Sequence, residues 1–129
     1  MRKIFLDTNF VLDTVLWKID LFGELRRVCD FAYEIVLLSN VRDEIKKIQG
    51  LGGKRKEVAT VALLILDKNN VKSMKAKGYA DDALVQLTEL GDIVATQDKD
   101  LKRRLKEKQI GSIIIREKGY LELIDRVLT

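Results

Sequence analysis

Acidic residues follow four short apolar segments of the chain, and their positions suggest a shared chemistry. Asp7 ends the segment KIFL, and Glu44 lies shortly after EIVLL. Asp82 follows the segment VKSM, and Asp98 comes shortly after DIVA. Four carboxylates in one place repel one another, whereas Mg²⁺ or Mn²⁺ takes oxygen ligands and removes that repulsion. Such a cation also activates water, so metal-dependent phosphodiester hydrolysis is our first hypothesis.

The composition excludes several other chemistries. The 129-residue chain has no histidine, which excludes Ser-His-Asp triads and zinc sites with histidine ligands. Cys29 is the only cysteine, so no internal disulfide forms and a reducing, cytoplasmic location is expected. No apolar run reaches the ~20 residues of a membrane span. Because a strand is predicted to begin almost at once, a signal peptide is not expected. The net charge of +4 gives weak support for a polyanionic partner.

The elements that must position the acids alternate between short strands and longer helices. Strands are predicted at residues 3–6, 34–38, 71–74, 92–95 and 112–115. Helices are predicted at residues 10–17, 20–31, 41–48, 56–68, 81–90, 98–108 and 120–128. This alternation predicts one α/β domain over residues 1–129, with a five-stranded parallel sheet covered by helices on both faces.

A parallel sheet brings the four acids to one edge, because the carboxyl ends of all its strands lie there. Each acid also has a structural explanation. Acids in the first turn of a helix offset its dipole by ~0.3 to 1 kcal/mol, and Asn40 is predicted to cap the helix over 41–48. Asp7 is harder to explain in this way, since an acid beside a buried strand needs a partner. The residues alone leave both a metal site and helix capping open.

The acids lie in segments that resemble, in order, the four motifs of PIN domains. This is a family of Mg²⁺/Mn²⁺-dependent nucleases that includes VapC toxins and ribosomal-RNA-processing proteins. FLDTNFVL is similar to the opening motif and supplies Asp7, Thr8 and Asn9. NVRDEI is similar to the second motif, whose acid is Glu44. The resemblance covers nearly the whole chain.

The third and fourth motifs supply the remaining acids. YADDALVQL resembles the third motif and places Asp82 ahead of Asp81 as the ligand. IVATQDKDLKRRL resembles the fourth, in which Asp98 follows Thr96 and Asp100 is an accessory acid. Both segments look closer to the ribosomal-RNA-processing branch than to typical VapC toxins.

The resemblance implies a three-layer α/β/α sandwich with sheet order 3-2-1-4-5 and endoribonuclease activity on single-stranded RNA. It implies one or two Mg²⁺ or Mn²⁺ ions held mainly by Asp7, Asp82 and Asp98, with Glu44 acting directly or through water. Residues that would orient the acids or waters are Thr8, Asn9 and Thr96, with Asp81 and Asp100 as accessory acids. Because PIN relatives are often homodimers, a homodimer is expected. VapC-type proteins also bind an antitoxin peptide, a partner that the sequence leaves open.

Positive charge beside the last acid supports an RNA substrate. In the segment KDLKRRLKEK, Lys99, Arg103 and Lys106 are predicted to share an exposed helix face that binds phosphates. An ordinary solvated helix with Glu/Lys pairing explains the same charges.

Apolar and aromatic residues have a more ordinary interpretation. Core or interface packing is preferred over base stacking for the larger aromatic side chains, which are Trp17, Tyr33, Tyr79 and Tyr120. We predict a dimer face at Leu21, Phe22 and Leu25.

Three other classes of protein fit these residues less well than a nuclease does. A phosphoacceptor receiver domain needs two acids at the end of the first strand and one after the third, whereas here the first strand supplies only Asp7. A haloacid-dehalogenase-like phosphatase needs a second Asp two residues later, where Asn9 stands. A non-catalytic PIN scaffold that binds RNA or ribosomal precursors is disfavoured by the four intact acids.

Overall fold

The computed structural model describes residues 1–126, which form six strands and six helices. In chain order these are β1 (Arg2–Leu6), α1 (Thr8–Leu16), α2 (Leu21–Val28), β2 (Tyr33–Leu38), α3 (Ser39–Gln49), α4 (Gly53–Lys68), β3 (Val71–Met74), α5 (Ala80–Leu87), β4 (Ile93–Ala95), α6 (Lys99–Glu107), β5 (Gly111–Arg116) and β6 (Tyr120–Ile124).

The strands form one sheet in the order β3-β2-β1-β4-β5-β6, and the first five strands of the chain are parallel. The predicted order 3-2-1-4-5 is therefore confirmed. Strand β1 lies in the middle, where Phe5 pairs with Val36 on one side and Val94 on the other. Residues 4–6 of this strand are almost completely buried. A continuous apolar run is typical of a strand covered on both faces.

Helices cover the sheet as the alternation predicted. α1, α3 and α4 pack against one another, and α5 packs against α6. Leu21, Phe22 and Leu25 of α2 are buried in the core of the monomer, so the predicted dimer face at these residues is wrong. Burying side chains of this size stabilises the fold by about 1.5–3 kcal/mol each. The amphipathic spacing of these residues therefore marks the side of α2 that packs into the core of the monomer.

The predicted C-terminal helix is also wrong. Residues 120–124 form β6, which pairs antiparallel with β5. The turn between the two strands has positive φ at Glu117 and Lys118, and the Gly119 N–H donates to the Arg116 carbonyl at 2.9 Å. Positive φ at both central residues is the hairpin geometry usually supplied by Asn and Gly, so the sequence gives little sign of this turn. The remaining residues of that predicted helix, beyond 126, lie outside the described residues.

The start of α3 differs from the prediction in a way that affects the site. The helix begins at Ser39, directly after β2, and its N-cap residue Leu38 makes no side-chain cap hydrogen bond. Asn40 is inside the first turn, and its Nδ2 donates to the Gly78 carbonyl at 3.1 Å. The first turn of α3 contains no acid. Dipole compensation therefore does not account for Glu44.

None of the helices within residues 1–126 combines the length and the apolar character that crossing a lipid bilayer requires.

Candidate active site

The strand order creates a crevice at the carboxyl edge of the sheet. The chain leaves β1 for β2 on one side and later returns to β4 on the other side, and ligand sites of open α/β sheets lie at such reversals. The backbone continues the pairing there, since the Asp7 N–H donates to the Ala95 carbonyl at 3.0 Å. A crevice of about 410 Å³ at this position is lined by Asp7, Thr8, Asn9, Glu44, Lys47, Ile48, Asp81 and Asp98.

Asp7 is a buried carboxylate held by two hydrogen bonds, with 7% of its surface exposed. Its Oδ1 accepts from the Thr8 N–H at 2.9 Å, and its Oδ2 accepts from Thr96 Oγ1 at 2.7 Å. Burial raises its pKa to about 6 against the opposing effect of these bonds, and the charges of Asp81 and Glu44 raise the pKa further. Asp7 therefore caps α1 and also brings an uncompensated negative charge into the crevice.

Thr96 connects two of the acids. Its side chain is completely buried, and its Oγ1 donates to Asp7 while accepting from the Asp98 N–H at 3.1 Å. Asp98 caps α6, because its Oδ1 accepts from the Leu101 N–H at 2.9 Å. One hydroxyl group thus fixes the positions of Asp7 and of the loop that carries Asp98.

Glu44 reaches the crevice from α3 and is held more loosely. Thr8 Oγ1 donates to its two carboxylate oxygens at 3.3 and 3.5 Å. Burial raises the pKa of Glu44, the Thr8 bond lowers it, and the charge of Asp81 raises it again. Lys47, one turn later on α3, also lines the crevice and lowers this pKa. No motif in the sequence indicates that Lys47 borders the acids.

The third acid in the crevice is Asp81, whereas Asp82 lies outside it. Asp82 is 64% exposed and pairs with Arg104, whose Nη2 is 2.9 Å from its Oδ1. Asp81 lines the crevice, and its pKa is raised by burial and by Asp98 and lowered by Arg104. Neighbouring helix residues point about 100° apart, so only one of the two acids can face β1. The geometry favours Asp81 over Asp82, which the sequence had ranked first.

Some of the predicted accessory and RNA-binding residues line the crevice, and others lie on the surface outside it. Asn9 lines the crevice, whereas Asp100 lies on the surface of α6 and pairs with Arg103 at 2.5 Å. This bond lowers the pKa of Asp100. Lys99, Arg103 and Lys106 are all exposed on α6. Arg103 is also 3.7 Å from Glu107, so its charge is partly offset by two acids.

The crevice offers carboxylate oxygens, which are the ligands of a hard cation, although the side chains are not arranged around a single point. In the part of the chain that the structure describes, no three Asp, Glu or Cys side chains form a ready-made metal site. In the same residues, no Lys or Arg lies within 4.0 Å of the carboxylates of Asp7, Glu44, Asp81 or Asp98. Mutual repulsion keeps such carboxylates apart, and their oxygens are the donors that Mg²⁺ and Mn²⁺ prefer. The donor set fits a cation that draws the side chains together.

Comparisons with known proteins agree with the fold. Ribonuclease VapC4 of Methanocaldococcus jannaschii is 33% identical over 98% of this chain and its own full length. Ribonuclease VapC9 of Archaeoglobus fulgidus is 32% identical over 97% of this chain and 93% of its own length. The structure of the PIN domain endonuclease Utp24 matches with a TM-score of 0.78 and 27% identity, covering 98% of this chain and 96% of that protein. A family model described as a PIN like domain matches residues 4–118, and this chain belongs to that family.

Proposed function

We propose that this protein is a VapC-like endoribonuclease that hydrolyses phosphodiester bonds in single-stranded RNA with Mg²⁺ or Mn²⁺. The observation that carries the proposal is the convergence of four carboxylates, from segments far apart in sequence, on one crevice. Among residues 1–126, no Lys or Arg lies within 4.0 Å of these four carboxylates. The names of the relatives add support, since two are ribonucleases and one is an endonuclease.

Asp7, Asp81 and Asp98 are the residues proposed to hold the cation, with Glu44 acting directly or through water. A bound Mg²⁺ or Mn²⁺ would supply positive charge at the phosphate and make a nearby water more acidic. Thr96 keeps Asp7 in place, because the buried Asp7 carboxylate is fixed by the Thr96 hydroxyl before any ligand arrives. A preorganised carboxylate does not have to be reordered when it binds.

Glu44 is the acid best suited to handle a proton. It lies on α3 at the side of the crevice, and its hydrogen bonds to Thr8 are long, at 3.3 and 3.5 Å. Its pKa is raised by burial, which makes it a stronger proton acceptor than an ordinary surface glutamate. Lys47 beside it provides a positive charge where an RNA phosphate enters.

The test is cleavage of a 5′-labelled single-stranded RNA in Mn²⁺ by the wild-type protein and by three variants. Asp7→Asn and Asp81→Asn are expected to lose more activity than the roughly 10- to 100-fold that follows loss of an outer-shell partner of a metal. Asp82→Asn is the matched control, because Asp82 is the adjacent carboxylate but faces Arg104, and it is expected to cleave within a few-fold of wild type.

Three results would contradict this assignment or part of it. Equal cleavage by wild type and Asp7→Asn, or no cleavage by wild type with any divalent cation, contradicts the nuclease proposal. Loss of activity in Asp82→Asn with activity retained in Asp81→Asn contradicts the choice of the third acid and restores the order that the sequence suggested.

The relatives favour a toxin-like role over ribosomal-RNA processing. Both sequence relatives are VapC ribonucleases and match over nearly the whole chain, whereas the Utp24 match is lower in identity. We therefore propose an antitoxin peptide as partner. We expect a small antitoxin-like reading frame next to the gene, and we expect its product to suppress RNA cleavage when the two proteins are co-purified. Cleavage that this product does not affect would contradict the toxin-like role.

A further inference from the structure

Tyr79 is an aromatic side chain that the fold leaves in solvent beside the active-site crevice. Its surface is 83% exposed, so of the core or interface packing preferred from the sequence, core packing does not apply. The residue ends the loop between β3 and α5 and is the N-cap position of α5, two residues before Asp81. A single exposed ring is common on protein surfaces, so the inference uses the position of this ring beside the proposed site rather than its exposure alone.

The loop that carries Tyr79 is fixed to the start of α3. Ser39 Oγ accepts from the Ala76 N–H at 2.9 Å and donates to the Ala76 carbonyl at 3.1 Å. Asn40 Nδ2 donates to the Gly78 carbonyl at 3.1 Å. Gly78 has φ +80°, a conformation that favours glycine and turns the chain just before the ring. The backbone under Tyr79 is therefore ordered although the ring itself is not buried.

A groove beside this ring adjoins the acidic crevice. It has a volume of about 490 Å³ and is lined by Asn40, Asp43, Glu44, Lys47, Ala76, Lys77, Gly78, Tyr79 and Ala80. Two of these residues, Glu44 and Lys47, also line the crevice. The groove and the crevice therefore adjoin at Glu44 and Lys47, and this is the path along which we place a strand that has one phosphate in the crevice.

The charges around the groove suit the backbone of such a strand. Lys47 and Lys77 line it, and Lys75 is exposed on the same loop. Within the described residues none of these three lysines is within 4.0 Å of a carboxylate, so their charges are available for phosphates. The opposing charges on the groove are Asp43 and Glu44.

We propose that Tyr79 stacks on the base of a nucleotide adjacent to the scissile phosphate, while Lys47 and Lys77 contact the neighbouring phosphate. The inference rests on the proposed ribonuclease function and gives a physical reason for single-strand selectivity. In a duplex the faces of each base are covered by its neighbours, whereas an unpaired base can turn onto the ring. Stacking on tyrosine tolerates every base, so this subsite selects for strand state rather than for sequence.

The experiment combines Tyr79 variants with an abasic scan of the substrate. A single-stranded RNA with one defined cleavage site is prepared intact and with one base removed at each position around that site. Wild type, Tyr79→Ala, Tyr79→Phe and Leu90→Ala are compared by KM and kcat in Mn²⁺. Leu90 is the control because it is 72% exposed and precedes β4, so it lies near the amino ends of the strands and the crevice lies at their carboxyl ends.

One abasic position is expected to raise KM for wild type and Tyr79→Phe by roughly 5- to 150-fold, the range for loss of one aromatic stack. Tyr79→Ala is expected to show this increase already with intact RNA, and removal of the same base adds no further increase. Leu90→Ala is expected to behave as wild type. Because the ring acts in binding, kcat is expected to change much less than KM.

The outcomes separate this inference from the proposed function. If wild type cleaves but Tyr79→Ala has a wild-type KM, or if every abasic position affects Tyr79→Ala as it affects wild type, the stacking subsite is refuted and the ribonuclease function stands. If wild type does not cleave, the proposed function fails. The abasic scan is then measured by equilibrium binding of the RNA to wild type and Tyr79→Ala. Stacking is refuted if no abasic position weakens binding by wild type more than binding by Tyr79→Ala. Tyr79→Ala that changes the oligomeric state on gel filtration identifies a subunit contact and overturns the inference.

Discussion

Replacing Asp7 by asparagine is expected to stabilise the metal-free protein at neutral pH while removing its response to metal. The folded protein holds the proton of Asp7 more tightly than the unfolded chain does, since burial raises the pKa from 3.8 to about 6. The free energy of unfolding is therefore highest when Asp7 is protonated, falls as pH rises from about 4, and reaches its lower level once pH passes about 6 to 7. Asparagine is neutral throughout this range.

The size of the effect follows from the same pKa shift. A shift from 3.8 to about 6 corresponds to about 3 kcal/mol at neutral pH, at ~1.4 kcal/mol per pH unit. Asparagine keeps an oxygen for the Thr8 N–H but presents an amide group to Thr96, which costs about 1 kcal/mol. The net expectation at pH 7.5 is a stabilisation of about 2 kcal/mol.

The assay is urea unfolding of wild type and Asp7→Asn between pH 4.5 and 8, in chelator and in Mn²⁺. The control is Asp92→Asn, because Asp92 is equally buried at 6% exposure but accepts from two backbone N–H groups, of Lys3 and Glu89. An amide nitrogen there faces a donor, so this variant is expected to be less stable at every pH.

The difference in stability between Asp7→Asn and wild type is expected to grow with pH in chelator and to shrink or reverse in Mn²⁺, which stabilises only the wild type. If the two proteins show parallel pH profiles in chelator, Asp7 is not an electrostatically strained carboxylate. In that case the physical basis for the proposed metal site is removed.

Two further substitutions test the supporting structure. Thr96→Val removes the completely buried hydroxyl that connects Asp7 with the Asp98 loop, so we expect a stability loss of about 1–3 kcal/mol and a roughly 10- to 100-fold loss of Mn²⁺ affinity by calorimetry; unchanged affinity contradicts the positioning role. Gly111→Ala places a methyl group 3.0 Å from the Ile124 carbonyl oxygen of β6, and we expect about 1–3 kcal/mol lower stability by urea unfolding. A wild-type value for Gly111→Ala contradicts the close pairing of β5 with β6.

The sequence predicts the sheet well because the strands differ clearly from their surroundings. The buried runs at Ile4–Leu6 and Ile93–Ala95 are too short for helices and are followed by polar residues at the carboxyl edge. Strand–helix alternation then leaves few topologies, and the resemblance supplied the order that the structure confirms. The positions of Asp7 and Thr96 follow directly from these strand ends.

The sixth strand could not be predicted because its turn has no recognisable residues. Glu117 and Lys118 adopt positive φ without the usual Asn or Gly, and the strand is held by distant contacts. One is the bond from the Leu121 N–H to Glu24 on α2 at 2.9 Å, and another is the bond from Arg27 Nη2 on α2 to the Leu121 carbonyl at 2.7 Å. Local spacing cannot report such tertiary contacts.

The choice between Asp81 and Asp82 was beyond the sequence for a similar reason. Which acid faces β1 depends on how α5, which begins at Ala80, is rotated about its own axis. A rotation of about 100° would present the neighbouring residue instead. Asp82 is also drawn outward by Arg104, 22 residues later on α6. Neither effect leaves a local pattern in YADDALV.

Direct titration of the metal-free protein with Mn²⁺ tests the central claim most directly. Wild type and Asp82→Asn are expected to bind Mn²⁺ with similar affinity by calorimetry, whereas Asp7→Asn and Asp81→Asn are expected to lose at least one order of magnitude. Equal binding by all four proteins, or no binding by wild type, would contradict the claim that these distant carboxylates share one cation.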